Sequence, residues 1–295
     1  MSSTQALKGR IRSVSKTKQI TSAMQLVAAS RMRRAQEATK ASAPYTAAAR
    51  SLLADLSTHS SVKKHPLFEQ REIKSRLLIV IASDSGLAGA FNSNLNRLYA
   101  NELIADSKAG VKNVTITIGK KASQFAARLK DTEIIGSYDG LADRPGGREL
   151  RAILDTAEQK FLTGEVDAVD VIYTEYINTI KQIARVDRML PAGAHLTTDG
   201  GSGVAIKGER DVKYEPSVRE VLDAVSYRLI SAQLYQTLLE SRASEYSMRM
   251  MAMKSATDNA GDLIEDLTLE MNKARQAAIT QELSEISGGV EALNE

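Results

Sequence analysis

From Leu222 to Ala278 apolar residues return at alternating steps of three and four, and fifteen of the 17 positions reached are apolar or aromatic, Gln236 and Thr257 being the exceptions. That is the period of a left-handed coiled coil, whose stripe stays on a partner at 3.5 residues per turn. No proline follows Pro216, and Gly261 is the one glycine between Ser217 and Ser287. Ser217 and Glu220 form an S-x-x-E capping box that predicts the helix start, and Gly288–Gly289 predicts its stop. A helix of that length measures about 105 Å at 1.5 Å per residue, more than a compact domain of this mass spans.

The N-terminus mirrors this pattern. Residues 10–43 contain neither proline nor glycine, and Leu7, Ile11, Val14, Ile20, Met24, Val27, Ala28, Met32 and Ala35 make a drifting stripe. Pro44 is expected to kink this helix, with Ala47–Leu56 continuing it. Two long helices at opposite ends of one chain can pair antiparallel if the middle returns the chain to its starting point.

The middle reads as an α/β domain. Strands are predicted at Leu77–Ala82, Val114–Ile118, Val169–Ile177 and Ile183–Leu190, and helices at Asn92–Ser107, Lys120–Leu129 and Arg148–Leu162. Strand–helix alternation argues for a doubly wound sheet. Thr197–Gly208, with its Gly-Gly-Ser-Gly run, reads as a surface loop.

Composition narrows the chemistry. There is no cysteine, which excludes disulfides, thiolate metal sites, iron–sulfur clusters and cysteine nucleophiles. Only His59, His65 and His195 are available for a histidine metal centre. The 13 aromatics include no tryptophan, so the core rests on aliphatic residues. The longest wholly apolar run, Leu77–Ala82, is six residues, against the ~20 a membrane-spanning helix needs. Net charge is +3, but residues 1–43 alone carry +8, which leaves the remaining 252 at −5. Such a basic arm suits an anionic partner, and three readings fit it: an organelle transit peptide, a nucleic-acid arm and an electrostatic guide on a protein. The apolar stripe running through the arm places it inside the mature fold.

The turn Ser83-Asp84-Ser85-Gly86-Leu87-Ala88-Gly89 lies where doubly wound folds bind phosphates. It lacks both the G-x-G-x-x-G spacing and a G-K-[ST] element, so it reads as a tight βα turn. No catalytic, cofactor-binding or metal-ligating set is recognisable. Taken alone, these features describe a long coiled coil carrying an α/β knob, a mechanical or linking element rather than an enzyme. The rivals are a nucleotide-dependent enzyme built on the α/β domain and a nucleic-acid-binding coiled-coil adaptor.

Specific motifs then add a resemblance. Arg10-Ile11-x-Ser13-Val14-x-x-Thr17, Ile20-Thr21-x-Ala23-Met24, Val27-Ala28-Ala29 and Arg33-Arg34-Ala35 mark the N-terminal helix. The C-terminal helix carries Arg249-Met250-Met251-Ala252-Met253, Ala256-Thr257-Asp258-Asn259-Ala260, Leu267-Thr268-Leu269, Asn272-Lys273-Ala274-Arg275-Gln276-Ala277 and Ile279-Thr280-Gln281-Glu282-Leu283-x-Glu285-Ile286. With Ser83-Asp84-x-Gly86-Leu87-x-Gly89-x-x-Asn92, these resemble the gamma subunits of F-type ATP synthases essentially end to end.

The resemblance implies an antiparallel coiled coil of residues 1–57 and 216–295 around a Rossmann-like α/β domain, residues 75–215. It implies the central rotary shaft of a proton-translocating ATP synthase, one copy among three alpha and three beta subunits, beside an epsilon subunit and a membrane ring of c subunits. Catalysis would reside on beta, with no cofactor and no nucleic acid on this chain. Met24, Arg249, Arg275, Gln276, Thr280, Glu282 and Glu285 would make the coupling contacts to beta, Met24 lying against Arg249 and Gln276. Tyr214 and Glu215 would meet the membrane ring, with Val212 standing where some relatives have another tyrosine. Ser85 stands where the family usually has arginine and Ala88 where it often has cysteine. Family sequence beginning within ten residues of Met1 leaves no room for a transit peptide, which implies a bacterial complex peripheral to the plasma membrane on its cytoplasmic side. Met24→Lys is expected to weaken coupling, since it sets a like charge beside Arg249. Proton pumping per ATP hydrolysed checks this, and equal ratios in variant and wild type contradict the placement.

Overall fold

The computed structural model describes residues 4–58, 65–129, 132–143, 147–192 and 218–293. Two helices and an α/β layer structure account for most of them. Helix α1 spans Thr4–Thr58 and α5 spans Val218–Leu293. Between them lie β1 (Ser75–Ile81), α2 (Phe91–Ala109), β2 (Lys112–Ile118), α3 (Lys120–Ala126), β3 (Glu133–Tyr138), α4 (Gly147–Leu162), β4 (Ala168–Tyr176) and β5 (Gln182–Leu190). The chain divides into two compact units, one of residues 1–28 with 249–295 and one of residues 29–248.

In the larger unit the five strands stand in the order β3-β2-β1-β4-β5. β1 to β4 are parallel and β5 runs antiparallel to β4. Five residues join β4 to β5, too few for a crossover, so they can only return as a hairpin. The side chain of Asn178 accepts from the Ile180 and Lys181 amides in that turn, at 2.9 and 2.8 Å. β3 escaped the sequence reading because it is a half-exposed edge strand whose apolar pair, Ile134–Ile135, is followed by glycine. Its register against β2 shifts at this point, with Ile134 opposite Thr115 but Gly136 opposite Ile116.

Strand alternation distributes the core over both faces. Leu77, Ile79 and Ile81 of β1 join Ile116, Val171, α4 and Leu229, Ile230, Leu234 and Leu238 of α5. Leu78 and Val80 face Leu95 and Tyr99 of α2 and Ala122 and Ala126 of α3. Between the layers sits a charged network. Arg76 donates to Glu102 (2.8 Å), to Asp106 (3.0 Å) and to Asp170, which also takes Arg188. Burial opposes the Arg76 charge, but its carboxylate partners, Asp170 foremost, outweigh that and hold the guanidinium above its ordinary pKa.

α1 continues past Pro44 to Thr58, in line with the continuation expected over Ala47–Leu56, and Pro44 and Lys40 are both exposed. One expectation about the long helices changes: α5 runs through Gly288–Gly289 to Leu293. Glycine permits the left-handed cap conformation but does not impose it. Ser217 and Thr197–Gly208 lie outside the described residues.

Gly119, at φ +91°, stands so close to β1 that an added Cβ would meet the Ala82 carbonyl oxygen at 2.3 Å. Gly119→Ala is expected to cost about 2–4 kcal/mol, since both the backbone angle and the backbone neighbour resist a side chain. Asp170→Asn, which leaves two guanidiniums facing a neutral amide, is expected to cost about 3 kcal/mol or more. Urea denaturation midpoints of the purified chain check both, and an unchanged midpoint contradicts either assignment.

Candidate functional site

In an open doubly wound sheet, ligands bind beyond the carboxyl ends of the strands, where the strand order reverses. Here that point lies between β1 and β4. It is occupied by the protein's own α5. Ser241, Ser244 and Ser247, three residues apart on one face of the helix, donate to the carbonyls of Ile81 (3.4 Å), Thr174 (3.1 Å) and Thr179 (2.8 Å). The carbonyl that ends β1, one near the end of β4 and one in the following hairpin thus accept from α5, where a nucleotide-binding fold would leave a crevice.

Charged groups flank the serines. Arg242, only 4% exposed, gives Nη1 to Glu245 at 3.0 Å and Nη2 to the Leu141 carbonyl at 3.1 Å, with Asp84 at 3.6 Å. Burial works against the Arg242 charge, but Glu245, Tyr246 and Asp84 reverse the effect and raise its pKa. Asp84 gathers three elements, since its Oδ1 also accepts from the amides of Lys120 and Gly140, both at 3.1 Å. The Tyr246 hydroxyl donates to Asp143, while Arg31 of α1 lies over its ring, 5.8 Å from the centroid. Burial first, then the bond to Asp143, pushes the Tyr246 phenol up to about 12, so it remains a neutral donor. Sequence reading assigned this stretch to the coiled-coil stripe. From Gln236 to Ser247 the helix is instead buried on every side apart from half-buried Glu240. The detectable signal was the spacing of small serines, which lets a backbone approach closely.

In the smaller unit α1 and α5 are antiparallel. Thr257 donates to Thr21 at 2.8 Å, and Lys18 lies where a side chain on Gly261 would stand, its Nζ 3.0 Å from that Cβ position. The lone mid-helix glycine thus makes room for a lysine stem. The seam on α1 runs Leu7, Ile11, Val14, Thr21, Gln25 and Ala28, all buried or half-buried, with exposed Lys18 reaching toward Gly261 between Val14 and Thr21. Ile20 and Val27, expected on it, are 61% and 55% exposed, because a strict 3.5-residue step from Leu7 passes through Lys18 and Thr21 instead. On α5 the expected positions Met253, Thr257, Ala260, Ile264, Leu267, Met271 and Ala274 are buried or half-buried, but Ala278 is exposed. The Thr21–Thr257 register carries the first described residue, Thr4, to the level of Ala274.

The proposed coupling residues consequently do not converge. Met24 is half-buried at the level of Lys254, and buried Arg249 follows within about 8 Å along α5. Gln276 lies about 33 Å farther along the same helix than Lys254, so Met24 cannot touch both. Arg275, Gln276, Thr280, Glu282 and Glu285 all fall in the exposed stretch 275–287. There Thr280 donates to the Gln276 carbonyl (2.9 Å) and Glu285 accepts from Gln281 (3.0 Å), so helix-internal bonds hold this cluster. Tyr214, Glu215 and Val212 lie outside the described residues. Among the described residues no group of acidic and histidine side chains is spaced for a metal ion, and no helix is long and apolar enough to cross a membrane.

Comparison with known proteins agrees with this architecture. A family profile described as ATP synthase matches residues 3–293. The ATP synthase gamma chain of Stenotrophomonas maltophilia is 41% identical over 294 residues, covering 99% of this chain and all of the relative. That of Glaesserella parasuis is 40% identical over 293 residues, with the same coverage. Among solved structures, a chain of the Euglena gracilis mitochondrial ATP synthase, in an OSCP/F1/c-ring assembly, superposes with a TM-score of 0.65 at 16% identity, over 98% of this chain and 94% of that one. At that identity the likeness speaks for the fold alone. Matched from end to end by bacterial gamma chains, and built as a paired-helix unit with a five-stranded α/β unit, this chain belongs to the ATP synthase gamma chain family.

Proposed function

We propose that this chain is the central rotary shaft of an F-type ATP synthase. It couples proton flow through a membrane ring to ATP synthesis or hydrolysis on beta subunits, and performs no bond chemistry itself. Its partners are three alpha and three beta subunits, an epsilon subunit and the c-subunit ring, one copy serving each complex. The complex sits peripherally on the cytoplasmic side of a bacterial plasma membrane. The coiled coil comprises residues 1–57 and 216–295 and the α/β domain residues 75–215. Coupling in this reading is differential binding: one asymmetric surface favours a different state in each catalytic subunit it faces.

The observation that carries the reading is the exposed far stretch of α5. Ile279, Leu283 and Ile286 are 49%, 62% and 65% exposed, with Arg275, Gln276, Thr280, Glu282 and Glu285 around them. An apolar row of that kind, rimmed by polar groups, suits a covering protein. Met24 and Arg249 make a second contact zone, against an acidic segment of beta that the basic N-terminal arm attracts. Tyr214 and Glu215 meet the ring. An enzyme reading loses support because α5 fills the crevice where a nucleotide would bind.

Co-expression with alpha and beta subunits tests the proposal. The expected product is an assembly with one copy of this chain per three alpha and three beta, whose ATPase activity is lost when the chain is omitted. Failure to co-purify while alpha and beta fold contradicts it, and nucleotide binding by the isolated chain points to the enzyme. Replacing Leu283 and Ile286 together by serine is expected to weaken assembly while leaving the unfolding midpoint of the isolated chain unchanged, because both side chains are already exposed. Unweakened assembly contradicts the covering role.

A further inference from the structure

A helix held only by apolar contacts can turn or slide on its bed with little penalty, because burial is proportional to area and indifferent to direction. α5 between Gln236 and Ser247 is held differently. Its three serine bonds reach carbonyls on β1, β4 and the hairpin that follows, and each carbonyl accepts at one angular position of the helix. Arg242 imposes the stronger condition. Glu245, on the same helix, orients it toward the Leu141 carbonyl and Asp84, and a rotation of α5 by one residue would leave a buried guanidinium without either. Tyr246 adds a second fixed point on Asp143, in the same loop as Leu141. Asp84 is itself held by the Lys120 and Gly140 amides, so the turn Ser83–Gly89 acts as the anvil for Arg242.

We propose that Asp84, Arg242 and Glu245 form a registry lock that keeps α5 from rotating on the sheet under load, with Arg242 as the positioning residue. The inference rests on the rotary reading above, and gives the βα turn a mechanical role where related sheets use that position to bind phosphate.

The test uses the whole ATP synthase in inverted membrane vesicles, reading protons pumped per ATP hydrolysed at matched content of this chain. Loss of pumping when the chain is omitted tests the rotary reading by itself, whereas the lock is read from the ratio in assembled variants. Arg242→Met is expected to lower the ratio about three- to tenfold, with Arg242→Lys, which keeps the charge, recovering part of it. Asp84→Asn combined with Arg242→Met is expected to be no worse than Arg242→Met alone, because both remove one interaction. Should Arg242→Met fail to assemble, Glu245→Gln keeps the side-chain shape and supports the same reading through a lowered ratio. A wild-type ratio in the assembled Arg242 or Glu245 variant, or independent effects of Asp84 and Arg242, overturns the lock.

Discussion

Carbonyl groups at the carboxyl end of a parallel sheet must find donors, and in this protein α5 supplies them. Ser241, Ser244 and Ser247 present hydroxyls along one helix face, and their small volume brings the helix backbone close to the strand ends. The charged cluster around Asp84 is built beside that contact. The helix occupies the position of a ligand, Arg242 is buried with it, and Asp84 is recruited from the turn to answer the charge. Buried ion pairs are weak contributors to net stability, since desolvation offsets their attraction.

The same chain handles its two helical contacts by different physics. In the smaller unit the seam is a narrow stripe at 3.5-residue spacing whose apolar positions are interrupted by Lys18, Thr21 and Gln25, with a threonine pair and a glycine–lysine fit marking the register. In the larger unit α5 is enclosed from Gln236 to Ser247, apart from half-buried Glu240. Polar residues that would face water on an ordinary amphipathic helix become its attachment points. Past Ala274 a third regime begins, in which leucine and isoleucine side chains stand exposed.

How much of this was legible beforehand depended on how local the cause was. β1 announced itself as an unbroken apolar run, and the coiled-coil period was audible over eight heptads because each residue obeys it independently. β3 was silent, since an edge strand with a bulge at Gly136 carries neither a run nor an alternation. The assignment of Ile20 and Val27 to the stripe failed because either Ile20 or Thr21 continues a local pattern, and only the partner helix chooses. The grouping of Met24 with both Arg249 and Gln276 failed on distance alone, about 40 Å of helix separating the latter two.

The sequence by itself determined most of the element types, β3 excepted, the presence of two long helices, the absence of thiol chemistry and, through its motifs, the family. Those properties depend on residue spacing and composition, which the chain carries along its length. Tertiary structure alone decided that α5 fills the carboxyl edge of the sheet and that Arg242 finds Asp84 across more than 150 residues. It also decided that the helix register sets Thr21 against Thr257. Such pairings join residues that are remote in sequence, and nothing in either segment read separately encodes the distance between them.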